Sequence, residues 1–205
     1  MSNPYADFSL CEIDTNLKRR IKTRILNVIK TSPIPEDVAH AHNVLEWVWR
    51  FKPDADFALQ TAALGHDIER ALPQRKVNRS DFATFDEFKI AHAQNSAKII
   101  REILAEYPLP LEFVEKLSYL VAHHEFGNGQ DPELKVLKDA DSLSFFEVNL
   151  PHYFQRESEE ETFLRMQWGY GRLSHRAKQY LKSLCYREKI LNTFLNRLQR
   201  ERENL

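Results

Sequence analysis

The segment FALQTAALGHDIERAL, residues 57–72, packs Phe57, Ala58, Leu59, Ala62, Ala63 and Leu64 into an apolar helix and then sets an imidazole beside a carboxylate at His66 and Asp67. A buried, unpaired charge costs several kcal/mol or more, so the pair needs a partner. Adjacent residues on a helix point about 100° apart, and both can reach one ion only from the last turn of a helix. That predicts a helix ending near Leu72.

The rest of the chain repeats the same helical spacing. Only 5 glycines occur in 205 residues, and apolar residues recur every three or four positions rather than in alternation, which predicts an all-α fold. Leu17, Ile21, Ile25 and Val28 form one stripe. Val38, His42, Leu45 and Trp49 lie near a second, opened by Pro35 at a first helical position. Asp54 is the candidate cap of the helix carrying Phe57. Residues 73–85 combine Pro73 with basic groups and no regular period, which predicts a loop. Helical spacing resumes near Asp86 and runs through Ile90, Ala93, Ala97, Ile100 and Leu104 until Pro108 and Pro110. A further helix is expected from about Leu111 to His123, then a turn at GNGQDP, then a helix capped by Asp131 and opened by Pro132.

Composition narrows the function. With 29 Lys+Arg against 30 Asp+Glu the net charge is -1, which favours a small soluble partner over a membrane surface or specific nucleic acid. Cys11 and Cys185 stand at opposite ends in no metal-binding spacing. The N-terminal residues lack a basic-then-apolar leader and no run reaches the roughly 18 to 20 apolar residues of a membrane span, so a cytoplasmic protein is expected. No repeat or low-complexity linker divides the chain, and residues 1–205 read as a single domain, with charged C-terminal helices as an outer layer or a homo-oligomer contact.

His40, His66, Asp67, His92, His123, His124 and Asp141 all fall on or at the ends of predicted helices. Imidazole with carboxylate is a ligand set for iron, manganese, zinc or cobalt, and a carboxylate can bridge two ions, which suits Asp67. The ordered elements, His40, HDIER at 66–70, AHAQNSAKII at 91–100, HHE at 123–125 and DADSL at 139–143, resemble the HD superfamily of metal-dependent phosphohydrolases over about residues 36–145. The order His, His-Asp, His, His-His, Asp is similar to its dinuclear subgroups.

That resemblance implies an HD-like helical bundle with a C-terminal helical extension over about 146–205. It implies one ion held by His40, His66, Asp67 and Asp141, and a second held by Asp67, His92 and His123, with His124 an additional or alternative ligand and Asp139 behind Asp141. The ions would be divalent, iron or manganese first, with zinc, cobalt or magnesium as alternatives. Arg70, four residues after His66, stands where a phosphate-binding lysine is common and offers a planar fork. Arg70 or His124 would steady the phosphate or protonate the leaving group. Arg75, Lys76 and Arg79 form either a phosphate funnel or a solvated loop.

The expected reaction is hydrolysis of a phosphomonoester or phosphodiester, a nucleotide first, by metal-activated hydroxide. A di-iron oxygenase of the same fold and a regulatory module that binds metal or nucleotide without turnover are the alternatives. Two departures stand out: Glu69 replaces a small residue, and HHEFGNGQDP lacks the Gly-Tyr-Pro signature of cyclic-dinucleotide enzymes. The stretch from FFEVNLPHYF to WGYGRLSHRA is also similar to an HD-related family that has lost its metal residues, a resemblance that carries no activity.

Overall fold

A computed structural model describes residues 13–127 and 130–203, and among these the chain is all-helical with no strand. Cys11 and the N-terminal residues through Glu12 lie outside that range, as do Asn128 and Gly129 of the expected turn. The helices are α1 (Thr15–Ile29), α2 (Asp37–Phe51), α3 (Phe57–Gly65), α4 (Phe85–Leu104), α5 (Leu111–His123), α6 (Pro132–Ser144), α7 (Leu150–Arg156), α8 (Glu159–Arg172), α9 (His175–Leu181) and α10 (Lys189–Glu203).

Helix α3 lies at the centre, packed by α1, α2, α5 and α6. Its residues are small and apolar on every side, and Ala58 through Gly65 are buried apart from half-buried Gln60, as expected of a helix without a solvent face. Gly65 ends it where α4 passes close by: a Cβ added there would stand 2.8 Å from Ile100 Cδ1. The neighbours follow ordinary amphipathic logic, α1 burying Ile21, Ile25 and Ile29 at four-residue spacing.

Several helix starts have the side chains a start requires. Thr84 and Glu87 make a reciprocal capping box on α4. Asp131 accepts from the backbone of Glu133 and Leu134, with Pro132 in the first turn of α6. Gly127, with φ of 67°, turns the chain after α5 through a bond from its N–H to the His123 carbonyl.

Four local expectations are corrected. The cap of α3 is Asp56, which accepts from Leu59 N–H, whereas Asp54 pairs with Lys52. Pro35 precedes the Glu36 cap of α2 instead of opening the helix. The buried face of α2 runs through Asp37, His40, Ala41, Val44, Leu45 and Val48; of the expected stripe Leu45 is buried and Val38 half-buried, whereas His42 is exposed and Trp49 is 42 % exposed. Finally, α3 stops at Gly65, not near Leu72, and Ile68–Ala71 continue as a 3₁₀ turn. The 73–85 loop also contains a single 3₁₀ turn at Arg79–Asp81.

Between α6 and α7 the helix widens into a π turn at Phe145–Asn149. Glu147 in that turn accepts from both Asn43 and the Trp47 indole of α2, and the Tyr186 hydroxyl donates to the Phe146 carbonyl. The turn is thereby tied to the core on one side and to the segment before α10 on the other. Such turns collect at functional sites, where the extra residue redirects side chains.

Candidate metal centre

The end of α3 places His66 at the cap position and Asp67 immediately before the 3₁₀ turn. The abrupt change of helix type lets neighbouring side chains share one focus, which a continuing α-helix would separate. His40 arrives from α2, His92 from α4, His124 from the end of α5 and Asp141 from α6. Three overlapping groups of donors result: Asp67 with His92, His124 and Glu125; His40 with His66 and Asp67; and His66 with His124 and Asp141.

Each ring has its Nδ1 side occupied. His66 Nδ1–H donates to the Ala63 carbonyl at 3.1 Å and His124 Nδ1–H to the Val121 carbonyl at 2.8 Å, acceptors that fix the proton on that nitrogen. His92 Nδ1 meets the buried carboxylate of Glu69 at 2.8 Å, and His40 Nδ1 lies 2.8 Å from the Ser144 hydroxyl. A ring tethered through Nδ1 turns Nε2 inward as its ligand atom, the arrangement that outer partners impose on metal-binding histidines; His92 Nε2 meets Asp67 Oδ1 there at 2.7 Å.

The Nε2 atoms converge. His40 and His66 approach at 3.2 Å through Nε2, and each stands 3.4 Å from Asp141 Oδ1. Asp67 Oδ2 completes the group at 3.7 Å from His40 and 3.8 Å from His66. Donors held about 2.1 Å from one ion stand roughly 3.0–3.5 Å apart for octahedral or tetrahedral angles, so the Nε2 atoms of His40 and His66 with Asp141 Oδ1 have the spacing of one cation's ligands, and Asp67 Oδ2 lies slightly farther from both rings. Hydrogen bonding accounts for it poorly, since most of these separations exceed hydrogen-bond length. His124 Nε2 is fully buried and makes no hydrogen bond, with Glu125 Oε1 at 3.4 Å and Asp67 Oδ1 at 3.9 Å.

The electrostatics agree with a site that attracts positive charge. Burial opposes ionisation of Asp67, yet His66, Arg70 and His92 hold its carboxyl well below the usual range. Burial likewise opposes ionisation of Asp141, and Arg172, His40 and His66 keep it ionised. Burial would lower His66, but Asp67 and Asp141 raise it to about 9. His124 moves the other way, lowered by burial, and stays a neutral base.

Not every expected residue joins the group. His123 is exposed on the outer side of α5, with Nδ1–H donating to the Tyr119 carbonyl, because the residue one position later faces inward. His124 therefore stands where His123 was expected. Asp139 lies away from the cluster and accepts from the backbone N–H of Ser174 at 2.7 Å and from its hydroxyl, which docks the start of α9. Arg75 pairs with Glu102, and exposed Arg79 donates to the Phe82 carbonyl, so of the three basic loop residues only Lys76 faces the cavity. Arg70 lines the cavity too, but Asp67 and Asp37 each take one of its terminal nitrogens at 2.8 Å.

Sequence reasoning missed three buried charges. Glu69, noted only as a departure, is fully buried and orients His92. Glu125, the last residue of HHE, pairs with Lys89 and with Arg172. Arg172, with a side chain only 9 % exposed, bonds Asp141 at 2.8 Å. The available signal was the adjacency of Glu69 and Glu125 to metal-site motifs; nothing local marked Arg172, which arrives from a distant helix.

An all-helical bundle enclosing a His/Asp donor cluster is the class that fold and site define. Residues 21–193 match the model of a family described as a domain of unknown function, DUF4202, and the chain belongs to that family. No curated protein and no solved structure matches the chain. No helix among the described residues is long and apolar enough to cross a membrane.

Proposed function

We propose that this chain is a metal-dependent hydrolase of a phosphate ester, with a nucleotide as the favoured substrate, and that His40, His66, Asp67 and Asp141 hold the principal ion. The observation that carries the reading is the convergence of His40 and His66 Nε2 with Asp141 Oδ1 at 3.2–3.4 Å and with Asp67 Oδ2 at 3.7–3.8 Å, backed by Nδ1 tethers and poorly explained by hydrogen bonds. Asp67, His92, His124 and Glu125 offer a second position, where a cation competes with Lys89 for Glu125. Divalent ions bound there supply Lewis acidity and hydroxide at neutral pH.

The remaining work falls to the chain. Asp67 belongs to both donor groups and is held in place by Arg70, which is accordingly a positioning residue. His124, neutral and buried, serves as a ligand and not as a proton donor. A cavity of about 340 Å³ opens beside His40, Asp67, His92 and Asp141, within the range of small-molecule sites. Lys76, Lys89, Arg156 and Arg165 line it beside Glu36 and Glu157, and of these cations Lys76 and Arg165 have no acidic partner among the described residues and stay open to an anion. Such walls favour phosphate chemistry over activation of uncharged dioxygen. The reading assumes a cytoplasmic setting and does not require an oligomer.

The test is phosphate release from nucleoside mono-, di- and triphosphates and from cyclic nucleotides, each with manganese, iron, cobalt, zinc or magnesium. Release that disappears in Asp67→Ala is expected. Silence across the whole panel in protein shown to contain metal would reject hydrolysis and favour a binding module.

A further inference from the structure

Two side chains lining the cavity carry buried polar atoms without a hydrogen-bond partner among the described residues. Asn149 is 5 % exposed, and neither its amide oxygen nor its amide nitrogen has a hydrogen-bond partner among the described residues. Arg165 has a buried Nη1 in the same condition and makes no ion pair there. Its guanidinium is held by rings instead, 4.3 Å from Phe145 and 4.6 Å from Trp168. The other arginines near the site are engaged by acids: Arg70 by Asp67 and Asp37, Arg156 by Glu36, and Arg172 by Asp141 and Glu125.

Buried groups without partners are costly, so a fold that keeps two in one cavity keeps them for something that enters it. Their chemistry describes the visitor. A stacked guanidinium with an open nitrogen receives an anion, and phosphate or carboxylate matches its fork. A primary amide presents one acceptor beside one donor, complementary to the edge of a nucleobase. Phe85, Phe88 and Tyr153 add flat apolar surface to the same cavity.

We propose that Arg165 and Asn149 are the substrate-reading pair of this cavity, Arg165 receiving the phosphate and Asn149 bonding a donor–acceptor edge on the base. The pair rests on the phosphohydrolase reading for the nature of the anion, and it moves specificity onto the C-terminal extension. Both residues come from that extension: Asn149 closes the π turn and Arg165 sits on α8. Arg70, the residue first expected to bind phosphate, is already occupied.

The test is equilibrium binding to manganese-loaded full-length protein. The probes are hydrolysis-resistant methylenephosphonate analogues of ribose 5-phosphate and of the four nucleoside 5′-monophosphates. At least one nucleoside analogue should bind tenfold or more tightly than the ribose analogue. Arg165→Met should weaken the ribose and nucleoside analogues alike by tenfold or more, with partial recovery in Arg165→Lys. Asn149→Leu should abolish the preference for the nucleoside, leave the ribose analogue unaffected, and raise the melting temperature of the ligand-free protein by removing an unsatisfied amide. Unchanged affinities in Arg165→Met, or a retained base preference with a lowered melting temperature in Asn149→Leu, overturn the proposal. If manganese does not bind, the metal reading fails by itself. The same titrations in chelator then still decide the pair, since neither residue belongs to the donor groups.

Discussion

His40 and His66 face each other through Nε2 at 3.2 Å, with Asp141 Oδ1 equidistant from both at 3.4 Å. Purified without chelator, the protein should carry at least one divalent ion per chain by elemental analysis. His66→Ala and Asp67→Ala should lose it. Metal at a hundredfold excess over its Kd should add about 2.7 kcal/mol to stability, read as a fall in melting temperature when chelator is added. A wild type that is metal-free and insensitive to chelator would remove the basis for the catalytic reading.

The adjacent histidines at the end of α5 separate cleanly. His124→Ala takes away a buried donor and should lower metal affinity about tenfold or more, a loss of roughly 1.4 kcal/mol or more. His123→Ala removes an exposed ring and should leave metal content unchanged. Equal losses in the two variants would contradict the inward orientation of His124.

Lys89 is a second cation at the site, paired to Glu125 beside His124. Replacing its ammonium with an isosteric apolar chain should free Glu125 Oε1 for a metal while Arg172 stays on Oε2. In Lys89→Met, titration followed by manganese paramagnetic resonance should show the second ion binding at about tenfold lower concentration, close to 1.4 kcal/mol. A second site that weakens would mean that Lys89 supports it.

The two aspartates of DADSL have divided roles. Asp139→Ala should cost roughly 2 to 3 kcal/mol by leaving the start of α9 without its charged acceptor, while metal content holds. Asp141→Asn should lose the ion and also leave Arg172 with a weaker partner. Denaturant melts paired with elemental analysis tell these outcomes apart.

The legible part of the molecule was whatever local chemistry specifies. Helices α4, α5 and α6 begin close to the expected starts near Asp86, Leu111 and Pro132, because capping and proline act within a few residues. His40, His66, Asp67, His92 and Asp141 could be named in advance because motif order survives in sequence. Choosing between His123 and His124 required the rotation of α5 about its axis, which depends on packing against α3 and α4. Stopping α3 at Gly65 depends on the crossing helix at Ile100, and Arg172 depends on how α8 folds back, so neither could be read from neighbours in the chain.

Tyr186 supplies a test outside the metal centre. Its hydroxyl is buried against the Phe146 carbonyl, and burial raises its pKa well above the ordinary value. Tyr186→Phe should cost about 1–2 kcal/mol at neutral pH. An unfolded tyrosine ionises near pH 10, whereas the folded one stays protonated beyond it. The stability the hydroxyl provides is therefore complete below about pH 10 and declines as pH rises further. The gap between wild type and variant in denaturant melts should stay constant from pH 7 to 9 and close above 10; a gap that widens in alkali would refute the buried hydrogen bond.

The π turn at Phe145–Asn149 also has a bearing on how this protein can change. Because it carries one residue more than an α-helical path requires, removing a single residue there would leave an unbroken helix whose downstream residues keep close to their present facing. The change would fall on the turn itself, redirecting cavity-lining Phe145 and Asn149, while His40, His66 and Asp67 stayed where they are. Gain or loss of this one residue thus reshapes a wall of the cavity and leaves the donor cluster alone, so chains of this fold can vary the lining without rebuilding the centre.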